Sequence, residues 1–423
     1  MNKIEDLYRI FEECRTICTD TRYISPNCLF FCLKGANFDG NAFAEKALEL
    51  GAYTVVTENI DLAGKTGFYV VDDVLKTLQQ LALFHRQQMK IPVLGITGTN
   101  GKTTTKELVV AVLETKYKVA YTQGNLNNHI GVPLTILAIP RDTQIAIIEM
   151  GANHVGEIED LCQIALPNLG IITNIGTAHI EGFGSKENII LTKTALYHAV
   201  KKQKGTIFAN INDAILTKHL QDYEQAIYYG NAQCACNGKV INMTPFLQMQ
   251  VGDQQFETHL TGEYNLYNIL CAVTVGLHFG IELKEACNAI AHYEPQNHRS
   301  QIIVQKSNTI IADYYNANPT SMNAALLNLS HLNHPKKVAI LGDMLELGNV
   351  SQEEHRKVVD FCQKNGIESY FVGRNFGQFS SSLHHFYDNT DELNQYLKNH
   401  PITDAMILVK GSRGIHLEKT GIL

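Results

Sequence analysis

Apolar residues in this chain follow two rhythms. Short unbroken apolar runs suit strands buried on both faces of a parallel sheet, and they alternate with longer stretches whose apolar positions recur every three or four residues, as on one face of a helix. The runs predict strands at 28–33, 53–57, 68–71, 92–96, 145–148, 169–173, 206–209, 309–312, 337–341, 369–372 and 405–409. The periodic stretches predict helices at 42–51, 106–114, 269–279, 321–329, 352–364 and 391–398, with further helical segments among the middle strands. Strands and helices alternating in this way define an α/β fold. Three domains are expected: a small N-terminal α/β domain over 1–88, a central phosphate-loop parallel-sheet domain over 89–297, and a C-terminal doubly wound, Rossmann-like domain over 298–423.

Ligands of such sheets bind beyond the carboxyl ends of the strands, so the polar residues after each apolar run are the candidates for chemistry. The run at 92–96 leads into Gly95-Ile96-Thr97-Gly98-Thr99-Asn100-Gly101-Lys102-Thr103-Thr104. Glycines let backbone N–H groups approach a phosphate, and the helix that follows points its positive end at the same anion. Lys102 can then reach the terminal phosphates, and the Thr103 hydroxyl can ligate magnesium. With glycines at 95, 98 and 101 the loop is a variant, since the strict pattern needs glycine where Ile96 stands.

Glu149 and His179 follow two other runs and are candidate metal ligands. Asn265 and Asn268 are three apart at the head of an apolar helix, where they share a face suited to a planar base, although capping also accounts for Asn265. Three polar clusters end strands of the last domain: 313–319, 342–348 and 410–414. Thr19-Asp20-Thr21-Arg22 and the segment 34–41 read, on their own, as turns.

Net charge is −7, without a dense block of Lys or Arg, which argues against a general nucleic-acid or anionic-membrane surface. Anionic substrates would need positive charge concentrated locally. No apolar run approaches the ~20 residues of a membrane helix, and the polar, acidic start does not read as a signal peptide. The ten cysteines lack paired zinc spacing, so reduced thiols in a cytoplasmic protein are expected.

Taken together, Gly95 to Thr104, Glu149-Met-Gly-Ala-Asn, Ala178-His-Ile-Glu-Gly-Phe, Asp313-Tyr-Tyr-Asn-Ala-Asn-Pro, Leu341-Gly-Asp-Met-Leu-Glu-Leu-Gly and Lys410-Gly-Ser-Arg resemble the Mur ligases over essentially the whole chain. The resemblance implies an ATP-dependent ligase of cell-wall synthesis. Within the family, the Tyr-Asn-Ala-Asn-Pro and Gly-Asp-Met-Leu-Glu-Leu-Gly segments point to the member that joins D-alanyl-D-alanine to UDP-N-acetylmuramoyl-tripeptide through an acyl phosphate. A monomer is expected, with neither nucleic acid nor membrane insertion involved. Similarity places Gly98, Thr99, Asn100, Gly101, Lys102, Thr103, Thr104, Asn265, Asn268, Arg299 and Asp313 at ATP. It assigns two magnesium ions to Thr103, Glu149, His179 and a carbamylated Lys193, with Lys186 as the competing lysine. Lys102, His179 and Lys193 are the implied catalytic residues. Thr19, Asp20, Thr21, Arg22, Gly35, Asp39 and Gly40 match the uridine-diphosphate segments, which overrides the plain-turn reading. Asn316, Asn318, Lys410, Ser412 and Arg413 are implied at the dipeptide site or in closure over ATP. The competing readings are another Mur-type or folylpolyglutamate-type ligase, a silent binding module and a motion-coupled NTPase.

Overall fold

The computed structural model describes residues 4–14, 16–176, 180–231, 234–243, 245–379 and 384–423. It forms two compact units, one of residues 1–97, 117–171 and 192–207, the other of 98–116, 172–191 and 208–423.

In the first unit, strands Ile17–Cys18, Leu29–Phe31, Thr54–Thr57 and Phe68–Val70 form a parallel sheet in chain order. Its core holds Cys18, Cys28, Phe30, Cys32, Ala47 and Val55, and all ten cysteines of the chain are free. Two helices are absent from the sequence reading: Ile4–Cys14, which packs on this sheet, and Val74–Gln88, which packs on Ile4–Cys14. The Tyr8 hydroxyl meets His85 Nδ1 at 3.0 Å and joins them. Buried Arg86 donates to the carbonyls of Ala165 and Leu166 at 2.9 and 3.1 Å. Those carbonyls end the helix Glu157–Ala165, where intrahelical donors run out. Strands Val93–Thr97 and Ile145–Glu149 pair in parallel with every residue buried, as their unbroken apolar character predicts. Val119–Tyr121 adds to the outer side of the latter, also in parallel.

In the second unit, helix Lys102–Leu113 packs on Leu266–His278. A side chain at Gly276 would come within 2.5 Å of Val112, so glycine allows the close approach. The phosphate-loop helix starts at Lys102, four residues before the predicted helix, because Gly101 supplies the left-handed cap at φ 78°. Strands Cys236–Asn242, Gln248–Val251 and Gln254–Glu257 form an antiparallel meander missing from the sequence reading. Their alternation of polar and apolar residues carries few long apolar side chains.

The six-stranded sheet of this unit runs Gln301–Gln305, Asn308–Ala312, Met406–Lys410, Lys337–Gly342, Glu368–Val372, His384–Tyr387. Only the first pairing is antiparallel. Helices Pro319–His331, Ser351–Lys364 and Thr390–Asn399 accompany it. Apolar clusters including Met322, Leu326, Phe371 and Leu408, and Ile310, Val338, Ile407 and Leu393, bury this layer. Ends of the predicted strands in this sheet agree to within a residue, since each is a buried run bounded by polar loops.

Candidate active site

The phosphate loop is a braced structure. Gly98 sits at φ 146° and a Cβ there would lie 1.9 Å from Thr173 Oγ1. Glycine at 98 is thus required by both conformation and space. Thr99 N donates to the Asn174 carbonyl at 2.9 Å, Asn100 N to Asn174 Oδ1 at 3.1 Å, and Thr173 Oγ1 to the Asn100 carbonyl at 2.6 Å. Thr99 Oγ1 also accepts from Gly176 N at 2.9 Å. Asn174 stands where the strand-end rule points, directly after the apolar run at 169–173 that Thr173 ends. Lys102 folds its ammonium over the loop, donating to the carbonyls of Gly98 and Thr99 at 2.9 and 3.2 Å. Thr103 and Thr104 are buried in the first helical turn.

Asn265 and Asn268 stand beside this loop with their amides engaged. Asn268 Oδ1 accepts from Thr105 Oγ1 at 3.1 Å, its Nδ2 donates to Asn265 Oδ1 at 2.9 Å, and Asn265 Nδ2 donates to the Thr261 carbonyl at 2.9 Å. A Cβ on Gly101 would lie 2.7 Å from Asn268 Oδ1. The Asn265 side chain makes no capping bond to the helix.

Asn318 reaches the loop from the 313–319 segment. Its Oδ1 accepts from Ser321 N at 2.9 Å in a capping box, while its Nδ2 donates to Asn100 Oδ1 at 2.7 Å. Lys410, 2% exposed, gives its ammonium to Asp313 Oδ2 at 2.7 Å and to the Asn316 carbonyl at 3.2 Å. Asp313 Oδ1 accepts from Ser300 N at 3.1 Å. Ser300 Oγ in turn meets the Tyr264 hydroxyl at 2.6 Å, and burial, with Asp313 nearby, raises the Tyr264 phenol above its usual range. Ser412 Oγ accepts from Leu345 N at 2.9 Å and donates to the Ala317 carbonyl at 3.4 Å, stapling three loops. Asn316 is exposed, and its Oδ1 accepts from Ala317 N at 2.9 Å. Arg299 lies over the Tyr315 ring at 3.9 Å and Arg413 at 5.7 Å.

The Gly-Asp-Met-Leu-Glu-Leu-Gly segment is held from within. Asp343 accepts from the N–H groups of Asn375 and Phe376 at 2.9 and 3.0 Å. His355, 0% exposed and unnoticed in the sequence, accepts from Met344 N at Nε2 (3.0 Å) and meets the Ser351 carbonyl with Nδ1 (2.7 Å). That pairing requires the neutral Nδ1–H tautomer.

In the first unit, Glu149 ends its strand 2% exposed. Asn127 Nδ2 donates to its Oε1 at 2.9 Å, and its backbone N–H donates to Thr122 Oγ1 at 3.0 Å. Asn127 lies in the polar turn 124–128, where no apolar periodicity flags it. Lys193 is 3% exposed on helix Lys186–Lys202, whereas Lys186 is exposed. Lys193 is therefore not a solvated surface charge. Asp20 accepts from Arg22 Nη2 at 2.6 Å and from Arg22 N at 2.9 Å, which lowers its carboxyl to about 2. Lys34–Gly35 and Phe38–Asp39 form a small hairpin, and Asp39 Oδ1 accepts from Asn41 N at 2.9 Å. A Cβ on Gly40 would lie 2.5 Å from the Leu33 carbonyl oxygen, so the chain here admits only glycine. Both turns predicted from sequence thus form, at the positions implied for the uridine diphosphate; Thr19 and Thr21 flank Asp20. His179 lies outside the described residues. Among those described, no three His, Cys, Asp or Glu side chains cluster as a metal site.

A braced phosphate loop and a C-terminal α/β layer whose asparagine bonds that loop mark a nucleotide-using α/β enzyme. Family models match in the same order: the Mur ligase family catalytic domain at 13–97, the Mur ligase middle domain at 96–276, and the Mur ligase glutamate ligase domain at 298–413. The chain belongs to the Mur ligase family. It is 35% identical to the UDP-N-acetylmuramoyl-tripeptide–D-alanyl-D-alanine ligase of Bacillus subtilis, over 95% of this chain and 91% of that one. The Escherichia coli ligase of the same description is 31% identical, over 95% and 92%. The fold is similar to MurF from Acinetobacter baumannii, with TM-score 0.86, 29% identity and 96% and 92% of the two chains covered. It is also similar to MurF from Thermotoga maritima in complex with ADP, with TM-score 0.85, 26% identity and 99% and 97% covered.

Proposed function

We propose that this chain is the ATP-dependent ligase that joins D-alanyl-D-alanine to UDP-N-acetylmuramoyl-tripeptide, yielding the UDP-muramoyl-pentapeptide of peptidoglycan synthesis. The observation that carries the reading is the bond from Asn318 Nδ2 to Asn100 Oδ1. It links the Tyr-Asn-Ala-Asn-Pro segment, where the resemblance puts the acceptor, to the loop that cradles the donor's phosphates. Similarity to ligases of this description over nine-tenths of both chains supports it further.

The terminal phosphoryl of ATP passes to the tripeptide carboxylate and ADP leaves. The dipeptide amine then attacks the acyl carbon, phosphate leaves with the bonding pair, and the amine gives up a proton as the amide forms. A carboxylate is a poor electrophile and is repelled by the triphosphate, so positive charge must screen both before they meet. Lys102 supplies some of that charge, exchanging the Gly98 and Thr99 carbonyls for phosphate oxygens. The braced backbone N–H groups of the loop and the start of helix Lys102–Leu113 supply more.

Thr103 and Glu149 are oxygen donors of the kind magnesium takes, and the buried Glu149 carboxylate, oriented by Asn127, fits a hard cation. Held by these residues, magnesium would supply positive charge against the phosphates. The proposal retains a second ion, with His179 as a ligand. It retains carbamylation at Lys193 over Lys186, since of the two lysines Lys193 is the buried one. Thr19 to Arg22, Gly35, Asp39 and Gly40 are assigned to the UDP group, and 1–88 to the domain that binds it. Residues 89–297 are assigned to ATP and 298–423 to the dipeptide. Asp313 and Lys410 neutralise each other, so we assign them to shaping the site, with Arg299 and Arg413 left to meet anions. Monomeric, cytoplasmic action completes the reading.

Phosphate release from ATP, magnesium and UDP-muramoyl-tripeptide tests it, with D-alanyl-D-alanine or single amino acids as acceptor. Release that requires the dipeptide, with a pentapeptide product by mass, is expected. Release with a single amino acid would move the chain to another step of the family.

A further inference from the structure

We propose that Tyr315 is a positioning residue: its ring holds the guanidinium groups of Arg299 and Arg413 together as one anion clamp for the phosphoryl group in transfer. The inference rests on the ligase reading above and adds to it a residue that reading leaves without a role.

The arginines converge on one ring from distant parts of the sequence. The guanidinium carbon of Arg299 lies 3.9 Å from the ring centroid and that of Arg413 lies 5.7 Å from it. Two like charges repel at such range, and the negative face of an aromatic ring is a surface on which both can rest. Neither guanidinium has a carboxylate partner among the described residues, and Arg299 Nε is buried without a hydrogen-bond acceptor. Arginines that merely brace a fold meet acids or carbonyls, as Arg86 does with the Ala165 and Leu166 carbonyls. Two unpaired guanidiniums in a chain of net charge −7 provide the local positive charge that anionic substrates require.

The backbones beneath these three side chains are already fixed. Ser300, next to Arg299, is bonded to Asp313 and Tyr264. Ser412, next to Arg413, is bonded to Leu345 and Ala317. Asp313, at the strand end that carries Tyr315, is held by Lys410. What the backbone does not determine is where two long, rotamer-rich side chains point. The Tyr315 ring does so, which places their charge before the reaction demands it.

Tyr315→Phe keeps the ring and Tyr315→Leu removes it. The wild-type chain is first assayed for dipeptide-dependent phosphate release, which decides the ligase reading on its own. Binding of a non-hydrolysable ATP analogue and kcat are then measured for each variant, with melting temperature as a control. Tyr315→Leu is expected to lose about tenfold or more in kcat and in analogue affinity, at little change in KM for the dipeptide, while Tyr315→Phe stays within about twofold. Adding Arg413→Gln to Tyr315→Leu should cost less than the product of the two single losses, because they disable one device. If Tyr315→Leu melts early, Tyr315→Met replaces it. A Phe variant as weak as the Leu variant, a Leu variant equal to wild type, or losses that multiply would each overturn the clamp. If the wild-type chain shows no ligase turnover, the analogue affinities alone decide, by the same ordering of Leu below Phe.

Discussion

At Gly98 and Lys193, single atoms decide what the chain can do. Gly98→Ala sets a methyl group against Thr173 Oγ1, where 1.9 Å is available at a φ of 146°. It is expected to cost about 1–3 kcal/mol of stability and to abolish nucleotide binding, read by calorimetry with an ATP analogue. Burial separates Lys193 from Lys186, a distinction absent from their sequence spacing. Incubation with ¹³C-bicarbonate should give a carbamate resonance that survives Lys186→Ala and disappears in Lys193→Ala. The latter variant should also lose about 100-fold or more in kcat. A resonance retained in Lys193→Ala would place the modified amine elsewhere.

Among the elements, the turn after strand Lys337–Gly342 joins the C-terminal layer to pH. Burial pushes His355 below its ordinary value. The unfolded chain therefore binds a proton there that the folded chain refuses, so stability is complete above pH ~6.5 and declines as pH falls below it. Urea midpoints should drop between pH 7.5 and 5.5, and less steeply in His355→Gln. His384 and His278, also lowered by burial, add in the same direction and account for the remaining slope. Asp343→Ala strands the N–H groups of Asn375 and Phe376 and should cost about 2–4 kcal/mol, measured by the same titration. The Asp343 carboxylate of this family segment therefore holds a neighbouring turn in place.

For the molecule as a whole, ligand binding and folding are linked. Saturating magnesium ATP, at about 100 times its dissociation constant, should stabilise the wild-type chain by about 2.7 kcal/mol. In Lys102→Ala most of that gain should vanish, since the ammonium that rests on the Gly98 and Thr99 carbonyls is the loop's own positive charge for phosphate. An undiminished ligand-induced shift in that variant would remove Lys102 from phosphate binding. No helix among the described residues is long and apolar enough to cross a membrane.

Much of this protein was legible in its sequence because its strongest signals are local. Buried parallel strands read as unbroken apolar runs, and Gly98 and Gly101 stand where the backbone takes the left-handed conformations that favour glycine, so the α/β alternation and phosphate loop could be read residue by residue. The antiparallel meander at 236–257 and the helices at 4–14 and 74–88 escaped, because alternating short strands and amphipathic helices resemble solvated loops until a partner covers them. Asn127, His355 and the ring role of Tyr315 escaped for a related reason. Their roles are hydrogen bonds and ring contacts to residues far along the chain, and a lone asparagine, histidine or tyrosine carries no periodic mark. The sequence by itself determined which residue types end each strand, and hence the class of chemistry. Only the tertiary structure decided which of those polar groups neutralise one another, as Lys410 and Asp313 do, and which rest on an aromatic ring instead, as Arg299 and Arg413 do. Pairing depends on distance through space, which the folded backbone alone sets.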